Sequence, residues 1–368
     1  MRVLVVSAPL QGHLLPLIPL AAACRDAGHD VLLASGGDVL QTDTAGIPAQ
    51  DIAPHFSFGR TATRVLLRHP IIGRRELAGQ AGVTFVGKLF GAANASFADE
   101  VLALAERAQP DLIVHEPLAA IGAVAAGRIG VPSVLQENLL FAAPELLAAV
   151  AASPPIQKMT VPAAELTITI SPPSVVGPRP GRQMRPVPYS GGGEVPDWLL
   201  APSDRSRIIV TRSTVPGLGG GDPTAAVVAA AARLDAEIVL VRPPEKLRRD
   251  GLPPNVRVVG RVPLDRVLPH ATAVVHHGGA GSVLGALAAG VPQLVCPGPG
   301  DRRHNASLVD RRGAGLSVAA GAITAATLTR LISDAALVEA AREVRDEIAA
   351  MPPPADLVPD LEALVRAG

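Results

Sequence analysis

The chain reads as an α/β protein built twice over, and three observations carry that reading. Short continuous apolar runs alternate with helical stretches, as in parallel sheets buried on both faces. The alternation gives way to a Pro- and Gly-rich segment at 171–204 and then resumes. At 368 residues the chain is also long enough for two domains.

In the first half, residues 3–7 form an apolar strand, Gly12 and His13 a turn, and 14–27 a helix ended by Gly28. A strand at 30–35 completes a βαβ start, which predicts a parallel sheet. A third strand falls at 47–52. Residues 55–80 read as irregular, with Arg60, Arg64, Arg68, Arg74 and Arg75 forming a solvated face or a ligand-facing one. The spacing predicts one long helix over 85–109, a strand at 112–115, a helix at 118–128 and a strand at 133–136.

In the second half, strands fall at 208–211, 237–241, 256–259, 273–276 and 293–296. Helices fall at 224–234, 282–289, 304–313 and 328–351, then Pro352 to Pro354 break the chain before a final helix at 356–366. Two such halves imply a cleft, with ligands at the carboxyl ends of the strands. The domains are therefore 1–190 and 191–351, with 352–368 crossing back to the first.

Composition narrows the function. Lys plus Arg equals Asp plus Glu at 33 each, so net charge gives no support for nucleic-acid binding. The N-terminal apolar stretch is interrupted by Gln11, Gly12 and His13 and holds Pro16 and Pro19, unlike a signal sequence. No segment has the length of a membrane span, and no membrane partner is expected. Cys24 and Cys296 stand far apart in apolar contexts and read as free buried thiols, which fits the cytoplasm.

The segment with most chemistry is Val274-Val275-His276-His277-Gly278-Gly279-Ala280-Gly281-Ser282. A strand end, a glycine turn and a helix start leave backbone N–H groups pointing outward beside a positive helix end. That is an anion site, most naturally for phosphate, to which a strand-end histidine adds a donor. His276 is read as structural.

Together with Ala286-Leu287-Ala288-Ala289-Gly290-Val291-Pro292 and Asp301, this segment resembles the donor signature of GT-B nucleotide-sugar glycosyltransferases. The likeness is nearest to the bacterial branch that decorates macrolide, polyketide and enediyne antibiotics. Gly12-His13, Pro110 to Val114, Val187-Pro188-Tyr189 and Gly260 to Pro263 are similar landmarks, so the resemblance covers nearly the whole chain. It implies two Rossmann-like domains facing a central cleft, acceptor on the first (near 55–90 and 138–160) and donor on the second.

The resemblance also implies roles. His13 would be the general base, oriented by the acid at Glu116, with His115 a nearby competitor. His277, Gly278, Gly279, Ala280, Gly281, Ser282 and Thr214 would hold the diphosphate, and Asp301 the sugar hydroxyls. Arg261 and Val262 would meet the nucleobase. Three positions depart from the family: Glu116 stands for the usual Asp, Arg302 for Gln, and Arg261 for an aromatic.

The expected activity is inverting transfer of a deoxysugar from a dTDP- or UDP-sugar to a hydroxyl of a hydrophobic secondary metabolite. Neither a metal nor a cofactor beyond the nucleotide-sugar is expected, and a homodimer is compatible. Two rivals differ in class: a GT-B nucleotide-sugar epimerase, and a non-catalytic nucleotide-binding paralogue motivated by the three departures.

Overall fold

The computed structural model describes residues 1–213, 222–249 and 251–367, and among these all strands lie in two parallel sheets. The first holds β1 (Arg2–Val6), β2 (Asp30–Ser35), β3 (Ala49–Asp51), β4 (Leu112–His115), β5 (Ser133–Gln136), β6 (Leu166–Thr169) and β7 (Arg182–Gln183). Their order is β3-β2-β1-β4-β5-β6-β7. The second holds β8 (Ser206–Val210), β9 (Ala236–Val241), β10 (Val256–Val259), β11 (Ala273–His276), β12 (Gln293–Val295) and β13 (Gly315–Ser317), in the order β10-β9-β8-β11-β12-β13.

Each sheet belongs to its own compact unit. Unit 1 contains residues 1–171, 178–185 and 351–367; unit 2 contains 172–177 and the described part of 186–350. The final helix Val358–Ala367 is thus part of unit 1, held by Arg182 Nε to Asp360 Oδ2 at 2.7 Å and by His29 Nε2 to Glu362 Oε1 at 3.0 Å.

The strand order decides where chemistry can sit. Strand order reverses between β1 and β4 in unit 1 and between β8 and β11 in unit 2. At such a switch point the loops leaving the two neighbouring strands turn to opposite faces and open a crevice at the carboxyl edge. The central strands β4 and β11 are buried throughout, as continuous apolar runs in a covered parallel sheet should be. With few aromatic residues in the chain, the cores around them are built mainly from Ala, Val, Leu and Ile.

Several helices differ from the sequence expectation. Residues 55–80 are not irregular but form the helices Phe58–Arg68 and Pro70–Leu77, the first capped by Ser57 accepting from Arg60 N. His13 lies in a one-turn helix, Gln11–Leu14, and the expected helix 14–27 changes to a 3₁₀ turn at Leu15–Leu17 before Ile18–Asp26. Pro16 and Pro19 each remove a backbone donor there. The helix over 85–109 divides into Thr84–Ala95 and Ala98–Ala108, because the chain turns at Phe97 to bury that ring.

The helix expected from 118 begins only at Ile121, where Asn94 Oδ1 accepts from Ile121 N at 3.0 Å. The helix over 328–351 divides at Asp334, whose Oδ1 accepts from Ala336 N at 3.1 Å and so caps Ala335–Ala350. The segment 171–204 contains β7 and the short helices Pro173–Val176 and Asp197–Leu200. Cys24 and Cys296 are free and buried, and burial pushes both thiols up to about 12. Among the described residues no helix is long and apolar enough to cross a membrane.

One close approach positions the site of unit 1. The helix Thr84–Ala95 crosses Ala143–Ala151 at Gly87, where a Cβ would lie 2.5 Å from the Ala149 carbonyl oxygen. Backbone cannot yield as a side-chain tip can. Gly87→Ala is expected to destabilise unit 1 by about 1–2 kcal/mol, from overpacking less the gain in helix propensity. Urea unfolding of the two proteins checks this, and an unchanged or higher midpoint contradicts it.

Candidate active site

At the switch point of unit 1, the loops after β1 and β4 bring His13 and Glu116 together. His13 Nδ1 lies 3.2 Å from Glu116 Oε1. Glu116 is 0 % exposed and His13 8 %. A buried carboxylate needs donors, and this one has four. Oε1 also accepts from Ala8 N at 3.1 Å, while Oε2 accepts from Leu118 N at 2.8 Å and Asn138 Nδ2 at 3.1 Å. These fill the acceptor sites of an ionised carboxylate.

Burial alone would raise the Glu116 carboxyl, but the His13 charge and hydrogen bond and the Leu118 and Ala8 N–H groups outweigh it. The net shift is downward, so Glu116 is ionised and can only accept. Nδ1 of His13 therefore carries the proton of that bond, and Nε2 takes no part in it. Phe90 stands against the imidazole, ring centres 5.1 Å apart. Asn94 ties Phe90 to the Glu116 loop by donating to the carbonyls of Phe90 and Leu118, each at 2.7 Å.

His115 does not compete for this position. It is fully buried, its Cβ packs against Gly122, and burial lowers its pKa to about 4. Glu116 does hold the N–H of Leu118, but as the end of a turn, since the helix starts three residues later.

At the switch point of unit 2, β11 ends in His276 and the chain turns through Gly278 into the helix Ala280–Ala289. His276 is structural: its Nδ1 accepts from Gly278 N at 3.0 Å, which leaves Nε2 to donate to Gln293 Oε1 at 2.8 Å. Burial holds it at about 4. Gly278 has φ +85, and a Cβ there would meet Val295 Cγ1 at 2.9 Å and the Arg302 carbonyl oxygen at 3.2 Å. A Cβ on Gly279 would meet His277 Nε2 at 2.7 Å, so the bare glycine makes room for the imidazole.

Gly281 faces open space, and Ser282 is half-buried on the next position. The first N–H groups of an α-helix have no intrahelical acceptor, so Ala280 and Gly281 open the turn as donors. His277 is depressed to about 3, first by burial and then by the charges of His276, Arg302 and Arg242. Its buried Nδ1 has no hydrogen-bond partner among the described residues.

Asp301 immediately precedes the helix Arg302–Arg312, and its side chain does not cap it. Asn305 Nδ2 donates to Asp301 Oδ2 and to the Gly278 carbonyl, both at 2.8 Å, and so fastens the Asp301 loop to the glycine turn. Arg302 is half-buried and donates to Ser213 Oγ at 3.0 Å. Burial lowers its pKa and the Asp301 charge works against that.

Arg242, just after β9, is a residue that sequence reasoning missed. Its φ is +51, in the left-handed region that a long side chain seldom occupies and that often marks a functional position. Burial, then the charges of Arg261 and Arg212, lower its pKa. Arg212 follows β8 and pairs with Asp222 at 3.2 Å. Four guanidinium groups (Arg212, Arg242, Arg261 and Arg302) thus gather at the carboxyl edge of this sheet; among the described residues Asp222 pairs with Arg212 and the charge of Asp301 acts on Arg302.

Val262 is buried, and with Arg261, Gly260 and Trp198 it lines a shallow cavity of about 410 Å³. Thr214, the other expected phosphate contact, lies outside the described residues. Among the described residues no three His, Cys, Asp or Glu side chains gather as a metal site. Besides Arg242, sequence reasoning passed over Asn138 and Asn305. Only the spacing of Asn305, one helical turn after Asp301, could have pointed to it.

This geometry has known counterparts. Residues 22–213 match the N-terminal domain, and 225–364 the C-terminal domain, of the family described as erythromycin biosynthesis protein CIII-like. The chain is 37 % identical to the elloramycin glycosyltransferase ElmGT of Streptomyces olivaceus, over 97 % of this chain and 96 % of that one. Among solved structures, the glycosyltransferase SnogD of Streptomyces nogalater superposes with a TM-score of 0.85 at 34 % identity, covering 99 % of this chain and 100 % of that one. SsfS6 of Streptomyces sp. SF2575, complexed with thymidine diphosphate, gives 0.83 at 29 % identity, covering 99 % of each chain. The chain belongs to the erythromycin biosynthesis protein CIII-like family: it is a GT-B glycosyltransferase of the bacterial natural-product branch.

Proposed function

We propose that the chain transfers a deoxysugar, with inversion, from a dTDP- or UDP-sugar to a hydroxyl of a hydrophobic secondary metabolite. The observation that supports this reading is the His13–Glu116 pair, in which four donors lock the carboxylate and His13 Nδ1 is one of them, so that Nε2 is the nitrogen assigned as the base. The complex of SsfS6 with thymidine diphosphate favours dTDP over UDP. ElmGT acts in elloramycin glycosylation, and a polyketide-type acceptor for this chain follows by analogy.

In this reading Nε2 of His13 takes the proton of the acceptor hydroxyl as its oxygen bonds to the anomeric carbon. The bond from that carbon to the diphosphate oxygen breaks, and the nucleoside diphosphate leaves with the electron pair. Glu116 stabilises the imidazolium by the bond it already makes. Attack opposite the leaving group inverts the anomeric centre.

On unit 2, His277, Ser282 and the N–H groups of Gly279, Ala280 and Gly281 bind the diphosphate, with Thr214 and Gly278 in the same turn-and-loop set. Asp301 accepts from sugar hydroxyls. Val262 and Arg261 face the nucleobase, which a guanidinium can stack on. Arg242 and Arg302 take up the charge of the leaving group, so the transfer proceeds without a metal. The mutual repulsion of Arg242 with Arg261 and Arg212 suits this edge to a doubly ionised diphosphate.

Three outcomes are expected. His13→Ala should lower kcat on the order of 10²–10⁴-fold while thymidine diphosphate binding, read by titration calorimetry, is kept. Unchanged turnover removes His13 as the base, and donor consumption that needs no acceptor favours an epimerase or hydrolase.

Arg242→Met should weaken thymidine diphosphate binding by roughly tenfold, the scale of one charge-assisted hydrogen bond. An unaltered calorimetric Kd counts against a phosphate role.

The third concerns pH. Because the folded Glu116 carboxyl lies below its ordinary 4.5, its stabilising contribution is complete above that value and is lost as pH falls through the folded one. The urea midpoints of the natural protein and Glu116→Gln should therefore converge on acidification below pH 4.5. A gap that does not narrow contradicts the lowered carboxyl.

A further inference from the structure

The overall neutrality of the chain conceals one strongly cationic surface. Between residues 55 and 98 stand Arg60, Arg64, Arg68, Arg74, Arg75 and Lys88, against a single acid, Glu76, which is buried. The five arginines are exposed, and none has an ion pair with an acid among the described residues. Arginines elsewhere, such as Arg2, Arg128, Arg182 and Arg312, do pair with acids.

The same surface exposes its largest aliphatic side chains: Leu67 is 77 % exposed, Ile71 74 % and Leu77 63 %. On the helix Phe58–Arg68, positions 60, 64 and 67 share one face; on Pro70–Leu77, positions 71, 74 and 75 share another. The opposite sides bury Ala62, Val65 and Gly73. A Cβ on Gly73 would lie 2.7 Å from Leu66 Cδ2, so the two helices are pressed together there. The exposed side is a two-helix surface of aliphatic tips set between guanidinium groups, of which Arg75 donates to the Gln80 carbonyl at 3.1 Å.

We infer that this helix pair docks on an anionic phospholipid surface. The exposed charge is of one sign, and among the described residues no acid forms an ion pair with these arginines. Arginine stems are long enough to keep their charge among headgroups while Leu67 and Ile71 enter the hydrocarbon boundary, the pattern of helices that lie in a bilayer interface. The expectation of no membrane partner rested on spanning length, which does not report a surface of this kind. The proposal is independent of the sugar-transfer reading.

Vesicle co-sedimentation of the full chain tests it. The protein should sediment with phosphatidylcholine–phosphatidylglycerol vesicles at low ionic strength, much less at high, and not with phosphatidylcholine alone. The triple variant Arg64→Glu, Arg68→Glu, Arg74→Glu should weaken that binding by about tenfold or more. Leu67→Ser with Ile71→Ser leaves the charge unchanged and should also weaken it several-fold, with melting curves confirming that both variants fold. Failure to bind the mixed vesicles at low ionic strength overturns the proposal and leaves an acidic protein as the occupant of this face. Binding that the aliphatic variant does not alter also overturns it, because charge alone would then suffice.

Discussion

The buried carboxylate of Glu116 is the constraint on which unit 1 turns. Its four donors come from the loop after β1, the helix bearing His13, the turn after β4 and the segment after β5. An unpaired charge at 0 % exposure would be costly, and removing one partner of such a set leaves the rest uncompensated. The four segments are therefore held in one arrangement by one side chain. The extra methylene of Glu relative to the family's usual Asp is accommodated within it, since both oxygens are saturated and His13 is in reach.

Unit 2 solves the opposite problem. Its glycine turn is also fixed internally, by Asn305 bridging Gly278 and Asp301 and by His276 accepting from Gly278 N. Its charges are not. Arg242 adopts a backbone conformation unfavourable for a long side chain and faces the like charges of Arg261 and Arg212. His277 is held neutral among cations. Cations that repel one another carry an electrostatic cost. The buried carboxylate of unit 1 is thus satisfied within the protein, whereas Arg242 in unit 2 stands among like charges.

This division also separates what the sequence could reveal from what it could not. Central parallel strands are buried apolar runs, so β4 and β11 were legible to the residue. β13 is three residues after a glycine and offers no such run. Helix breaks at Phe97 and Asp334 depend on which side chain tertiary packing buries and on a cap inside a helical pattern, neither visible as periodicity. The glycine turn announced itself because its chemistry lies in consecutive residues. His13 and Glu116 are 103 residues apart and were joined only through the family resemblance. Asn138 and Arg242 carry no local signal, since the first acts through a distant carboxylate and the second through a backbone angle.

With Lys plus Arg and Asp plus Glu equal at 33 each, the placement of the carboxylates decides what each arginine can do. Where an acid is adjacent, as for Arg207 with Glu237 at 2.6 Å, the guanidinium serves the fold: it also donates to the carbonyls of Leu199 and Ala201 and ties the helix Asp197–Leu200 to β8. Around Arg242 the acting charges, those of Arg261 and Arg212, are of like sign. From Arg60 to Arg75 the guanidinium groups are exposed and form no ion pair with an acid among the described residues. A neutral protein can therefore present two cationic sites of different kinds, because neutrality constrains the total and leaves the distribution free.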